Sequence, residues 1–162
     1  MISDAWLIAS KDLRVEWRSR IVINQIAPFT LLIVVLFGFA LDADPQTLRD
    51  TAPGLFWVAV LLVTLLAVQR ATAIETADGA QHRMLLSAVD PAAIFLGKAA
   101  ALAVQLVALE VLLAAAITVL FDVSVKDPAL MVVAALVATV GIAAAGTIYG
   151  VLAVGLGVRE TL

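Results

Sequence analysis

The chain contains no cysteine and a single histidine, His82, in 162 residues. This excludes a disulfide framework, a thiol nucleophile, a cysteine-based zinc or iron–sulfur site, and a histidine metal cluster. Charge is scarce too: only 14% of residues are Asp, Glu, Lys or Arg, and the net charge of −3 lacks the basic surplus of a nucleic-acid binder. There is no Walker-type phosphate loop, nucleophile elbow or HExxH, so no catalytic residue and no metal site is assigned, and the chain is not expected to be an enzyme. Apolar residues dominate instead, at 64% against about 45–50% in an ordinary globular chain, with a mean hydropathy of +1.11. A water-soluble domain this small exposes more surface than so few charges can cover.

The apolar residues are gathered into blocks long enough to cross a bilayer, whose hydrocarbon core needs about 20 residues of helix. The sequence predicts four spans in one transmembrane domain, at about 21–41, 53–69, 99–121 and 129–158. Each must be helical, because lipid offers no partner to an unpaired backbone amide. The expected fold class is therefore all-α, a polytopic transmembrane bundle. Asp90-Pro91 and Asp127-Pro128 each supply an N-cap carboxylate followed by a proline at the first helical position. The first span, at roughly twenty apolar residues, is longer than a signal-peptide core and is read as uncleaved.

Four spans place both termini on one side. Lys11, Arg14, Arg18, Arg20, Arg70, Arg83, Lys98 and Arg159 all fall on that side, eight of the ten basic residues, while Arg49 and Lys126 fall on the other. The positive-inside rule makes the termini and the 70–98 loop cytoplasmic. In segment 1–20, Ile2, Trp6, Ala9, Leu13 and Trp17 recur at helical spacing among charged residues. This predicts an amphipathic helix lying along the cytoplasmic interface. In the 70–98 loop, Asp78-Gly79 marks a turn, and a short amphipathic helix follows around Met84-Leu85-Leu86. His82 and the outward-loop pair Asp42 and Asp44 read as solvated surface groups.

Glu110 lies in the middle of the third span, with Gln105 five residues earlier. An intramembrane carboxyl costs a few kcal/mol at least. It is a candidate proton relay or contact for a polar substrate group, or else a protonated group bonded to a neighbouring span. Gly146 and Gly150 form a GxxxG pair that lets another helix approach closely. Asn24 and Gln25, at the start of the first span, are expected to form interhelical or interfacial hydrogen bonds.

Two stretches carry a family resemblance. Ala52-Pro53-Gly54-Leu55-Phe56-Trp57-Val58-Ala59 resembles the APG-x-x-W-V-A signature of the haem exporter protein B (CcmB) family. Glu75-Thr76-Ala77-Asp78-Gly79, then Leu85-Leu86 and Gly97-Lys98, is similar to that family's cytoplasmic loop, a looser form of which occurs in ABC-2-type permeases generally. The resemblance implies a membrane-spanning permease subunit of an ABC transporter for haem export in cytochrome c maturation, in the bacterial cytoplasmic membrane. It implies an ABC ATPase on a separate chain as partner, with other cytochrome c maturation membrane proteins; ATP acts only through that partner and haem enters as a substrate. It makes segment 1–20 the elbow helix, and Glu75, Asp78, Gly79, Arg83, Leu85 and Leu86 the surface that meets the ATPase. Family chains usually have six spans, so the last two are expected to be missing here. An ABC-2-type permease for a lipid or drug, or a non-transporting scaffold for cytochrome assembly, are the alternative readings.

Overall fold

Three of the long helices start at an Asp-Pro pair. Asp90 Oδ1 accepts from Ala92 N–H at 2.9 Å, and Asp127 Oδ1 accepts from Leu130 N–H at 3.1 Å. Asp44 Oδ2 accepts from Thr47 N–H at 2.8 Å, which makes Asp44 an N-cap instead of the solvated loop charge read from the sequence. In each case the carboxylate satisfies an orphan amide of the first turn, while the proline occupies a position that has no donor to lose.

The computed structural model describes residues 1–20, 22–42, 44–77, 90–125 and 127–160, with the side chains of 72, 74–77 and 153–160 outside the description. The helices are α1 (Ile2–Ser19), α2 (Ala27–Ala40), α3 (Pro45–Ala77), α4 (Pro91–Phe121) and α5 (Pro128–Glu160), and a π-helical turn at Val22–Ile26 leads into α2. The described residues contain no strand. Four segments are long and apolar enough to cross a membrane: Val22–Ala40, Pro45–Ala71, Pro91–Phe121 and Pro128–Leu152. The fold is an all-α polytopic membrane bundle.

α3 starts eight residues before the expected boundary at Pro53, which lies inside it. Proline removes one ladder hydrogen bond and crowds the preceding turn. Packing outweighs that cost here. Leu48, Ala52, Phe56, Ala59, Val60, Val63 and Ala67 form one buried face running straight through the proline, while Pro53 itself points outward.

α4 is the centre of the bundle and touches α1, α2, α3 and α5. Its buried stripe, Leu102, Leu106, Leu109, Leu113, Ile117 and Phe121, advances by three or four residues at each step. At the far end of α4, Arg49 of α3 donates from Nε to the Asp122 carbonyl at 3.0 Å and pairs with the Asp122 carboxylate. That contact ties the start of α3 to the end of α4. Much of the remaining surface is apolar and turned outward, including Leu32, Leu36, Val111, Val133 and Val137. Such a surface suits a hydrocarbon solvent.

Candidate functional site

Among the described residues, the most extensive helix–helix contact is that of α1 with α4. The reason is Gly97. A Cβ at that position would lie 2.7 Å from the Ala5 carbonyl oxygen and 2.7 Å from Ile8 Cβ. Only a residue without a side chain lets the two backbones cross so closely. The face that α1 turns inward is Ala5, Ile8, Ala9, Asp12, Leu13 and Glu16, not the full stripe read from the sequence. Ala9 and Leu13 of that stripe do turn inward, whereas Ile2, Trp6 and Trp17 point away, with Trp6 72% and Trp17 80% exposed. The helix therefore has a bundle-facing side and an adjacent aromatic side, the latter suited to a headgroup boundary.

Two further contacts anchor α1. Lys98 lies within electrostatic reach of Asp12, which attracts it, and of Lys11, which opposes that attraction. Glu16 Oε1 accepts from Val22 N–H at 2.7 Å, which links the end of α1 to the entry of the first span. Arg20 makes the corner in the left-handed region at φ 54°, and its N–H bonds the Glu16 carbonyl at 2.9 Å. Asn24 and Gln25, next along the chain, are exposed and make no side-chain hydrogen bond among the described residues. Of the two roles expected of them, the exposed position at the π-helical turn does not provide the interhelical one among the described residues and leaves the interfacial one.

Inside the bundle, Glu110 is 6% exposed and Thr139 of α5 only 1%. Thr139 Oγ1 lies 2.7 and 2.8 Å from the two Glu110 carboxyl oxygens and 2.7 Å from the Ala135 carbonyl. Thr30 of α2, with Val60 and Val63 of α3, completes a small void beside the Glu110 carboxyl. All four spans thus converge on one polar point. Gln105 does not join it, being half-buried and about 140° around the helix from Glu110 at roughly 100° per residue. Thr139 escaped the sequence reading, although a signal existed. Glu110 lies eleven residues before the end of α4 at Phe121, and Thr139 eleven after the start of α5 at Pro128. An antiparallel pair joined by a short link brings such positions to the same depth.

Gly146 faces α3 and α4. A Cβ there would meet Val68 Cγ2 at 3.0 Å and Leu102 Cδ2 at 3.3 Å, and Gly150, one turn on, is also buried. The GxxxG pair therefore packs within the chain. In the APG stretch, Ala52 and Phe56 are buried, and the Phe56 and Trp57 rings meet edge to face with centroids 5.1 Å apart. Glu75 sits in the last turns of α3 with its side chain outside the description; Asp78, Gly79, His82, Arg83, Leu85 and Leu86 lie outside the described residues. No group of three or more His, Asp or Glu side chains able to hold a metal ion occurs among the described residues.

Comparison with known proteins places this architecture. Heme exporter protein B of Escherichia coli K12 is 34% identical over 93 residues, covering 57% of this chain and 42% of that protein. Heme exporter protein B of Haemophilus influenzae is 33% identical over 81 residues, covering 50% and 37%, and that of Pseudomonas aeruginosa 28% over 81 residues, covering 50% and 36%. The chain spans under half the length of these curated relatives. No solved structure matches it. The family model described as CcmB protein matches residues 3–162, nearly the whole chain, and the protein belongs to the CcmB family.

Proposed function

We propose that this chain is a membrane-spanning permease subunit of an ABC transporter that handles haem during cytochrome c maturation. The observation that carries the reading is the family match over residues 3–162, reinforced by relatives that bear the name Heme exporter protein B. The chain supplies spans and a polar segment between α3 and α4. ATP hydrolysis belongs to a separate ATPase chain, with other cytochrome c maturation membrane proteins as further partners.

The mechanical logic follows from the helix contacts. Residues 70–98, taken as cytoplasmic together with both termini by the positive-inside rule, comprise the last turns of α3, the segment that follows it and the first turns of α4. Gly97, close to where that segment re-enters the bundle, is also where α1 crosses α4. A force on Asp78, Gly79, Arg83, Leu85 or Leu86 would be delivered to the α1–α4 crossing first. From there Glu16 and Val22 pass it to the first span, and the close-packed α4 stripe passes it to α3 and α5.

The test is copurification from bacterial membranes. An ATPase subunit is expected to accompany the wild-type chain, and Asp78→Lys or Leu85→Asp is expected to uncouple ATP hydrolysis with membrane insertion intact. Normal complex formation and activity in both variants would remove the docking surface from the account. Loss of drug or lipid efflux without loss of c-type cytochromes would favour the broader ABC-2 reading. Cytochrome assembly sustained by an ATPase-dead partner would favour a scaffold.

A further inference from the structure

The Thr139 hydroxyl has one proton and three close oxygens: two of Glu110 and one of its own helix, the Ala135 carbonyl, all at 2.7–2.8 Å. One proton cannot serve both sides. The other buried threonines show where such a proton goes. Thr30 donates to the Ile26 carbonyl, Thr64 to Val60 and Thr147 to Ala143, each four residues back at 2.7–2.8 Å. If Thr139 does the same, the bond to Glu110 needs a second proton, and only the carboxyl can carry it.

Among the described residues the surroundings supply nothing else. The described groups facing Glu110 are Thr30 from α2, Val60 and Val63 from α3, Leu106, Leu109 and Leu113 from its own helix, and Thr139 from α5. None is cationic, and none is titratable. A carboxylate here would have one hydrogen bond and no counter-charge, a combination that buried charges in folded chains do not sustain. A carboxylic acid has every proton placed: Glu110 O–H donates to Thr139 Oγ1, and Thr139 O–H donates to the Ala135 carbonyl.

We propose that Glu110 is a proton-bearing latch: a neutral carboxylic acid that fastens α5 to α4 by donating its own hydrogen bond to Thr139. It is a positioning residue, and the property that matters is the donated proton, not a negative charge. α5 depends on it because hydrophobic driving force is absent between helices in lipid and packing with hydrogen bonds must hold them. The membrane-length part of α5 has the least buried surface of the four spans.

Infrared difference spectroscopy on the chain in phosphatidylcholine–phosphatidylglycerol nanodiscs at neutral pH tests this. The wild-type minus Glu110→Gln spectrum is expected to contain the C=O stretch of a protonated carboxyl. Thr139→Val should move that band to higher frequency by removing its acceptor, and Thr139→Ser should leave it in place. The absence of cysteine allows spin labels at Val111→Cys and Val140→Cys, both exposed, to report the α4–α5 distance. Glu110→Gln, which keeps a donor, should retain the wild-type distribution, and Thr139→Val and Glu110→Ala should broaden it. No carboxyl band in the difference spectrum, or broadening in Glu110→Gln equal to that in Glu110→Ala, would overturn the proposal.

Discussion

A methyl group at Gly97 would sit 2.7 Å from a backbone oxygen of α1 and 2.7 and 2.9 Å from two carbons of Ile8, against the 3.4 Å at which ordinary contact begins. Relieving the worst of these contacts requires the crossing to open by about 0.7 Å. Ala5 O belongs to the backbone and Ile8 Cβ to a β-branched side chain, so neither can swing aside alone. Overpacking of this kind costs about 1–3 kcal/mol. Alanine recovers up to about 1 kcal/mol through its better helix propensity, leaving Gly97→Ala close to neutral or mildly destabilising. Valine adds bulk and recovers less, so Gly97→Val should weaken α1 docking by about 1–3 kcal/mol. At 1.4 kcal/mol per tenfold, α1 amides should then exchange with deuterium about fivefold to a hundredfold faster. The assay is hydrogen-exchange mass spectrometry in nanodiscs, with the buried stripe of α4 as internal reference. Ile8→Ala combined with Gly97→Val should recover only part of the protection, because it removes the Ile8 Cγ2 contact at 2.9 Å and leaves those with Ile8 Cβ and the Ala5 carbonyl. Gly54→Ala and Gly141→Ala, whose Cβ atoms would meet nothing within 4 Å, should leave it unchanged. Wild-type exchange in Gly97→Val would refute the close crossing.

Other outcomes follow from the same contacts. Gly146→Leu should lower thermal stability by about 1–3 kcal/mol through overpacking against Val68 and Leu102, while Gly141→Leu on the outer face should not; a detergent melt compares them. Thr139→Val should cost roughly 0.6–2 kcal/mol, the range of interhelical hydrogen bonds in membrane proteins, read as loss of stability that Thr139→Ser recovers. Asp90→Ala and Asp127→Ala should each cost about 1 kcal/mol by unmaking an N-cap, seen as faster exchange confined to the first turns of α4 and α5. Hydrogen bonds from Thr47 hold the Asp44 carboxyl below its ordinary value of 3.8, so its contribution is present above that value and fades as pH falls through the lower, folded one. Asp44→Asn should flatten the acid limb of a stability-versus-pH curve, and an unchanged limb would contradict the assignment.

The parts of this molecule legible in the sequence are those set by local chemistry. Twenty-residue apolar blocks announce spans, and Asp90-Pro91 and Asp127-Pro128 announce helix starts, since both signals act within one turn or one membrane thickness. Asp44-Pro45 is the same signal, obscured by Pro53, which looks like a better boundary until the buried Leu48–Ala52–Phe56 face is known. The inward face of α1 was only partly legible because its apolar stripe serves two environments. Ala9 and Leu13 pack on protein while Trp6 and Trp17 point away, and periodicity cannot distinguish one apolar neighbour from another. Glu110 stood out by its cost. Its partner did not, since a threonine in an apolar span is unremarkable until antiparallel depth is matched across the link between α4 and α5. Gly97 belongs to a family pattern in the sequence, and the crossing of α1 gives it a physical reason.

Deletion of the gene in its own host, with holo-cytochrome c followed by haem-dependent peroxidase staining, weighs the proposed role in haem handling. The chain with its native partners should restore c-type cytochromes to the deletion strain, and the Asp78→Lys chain, inserted at equal abundance, should not. Normal c-type cytochromes in the deletion strain would contradict the proposed function outright.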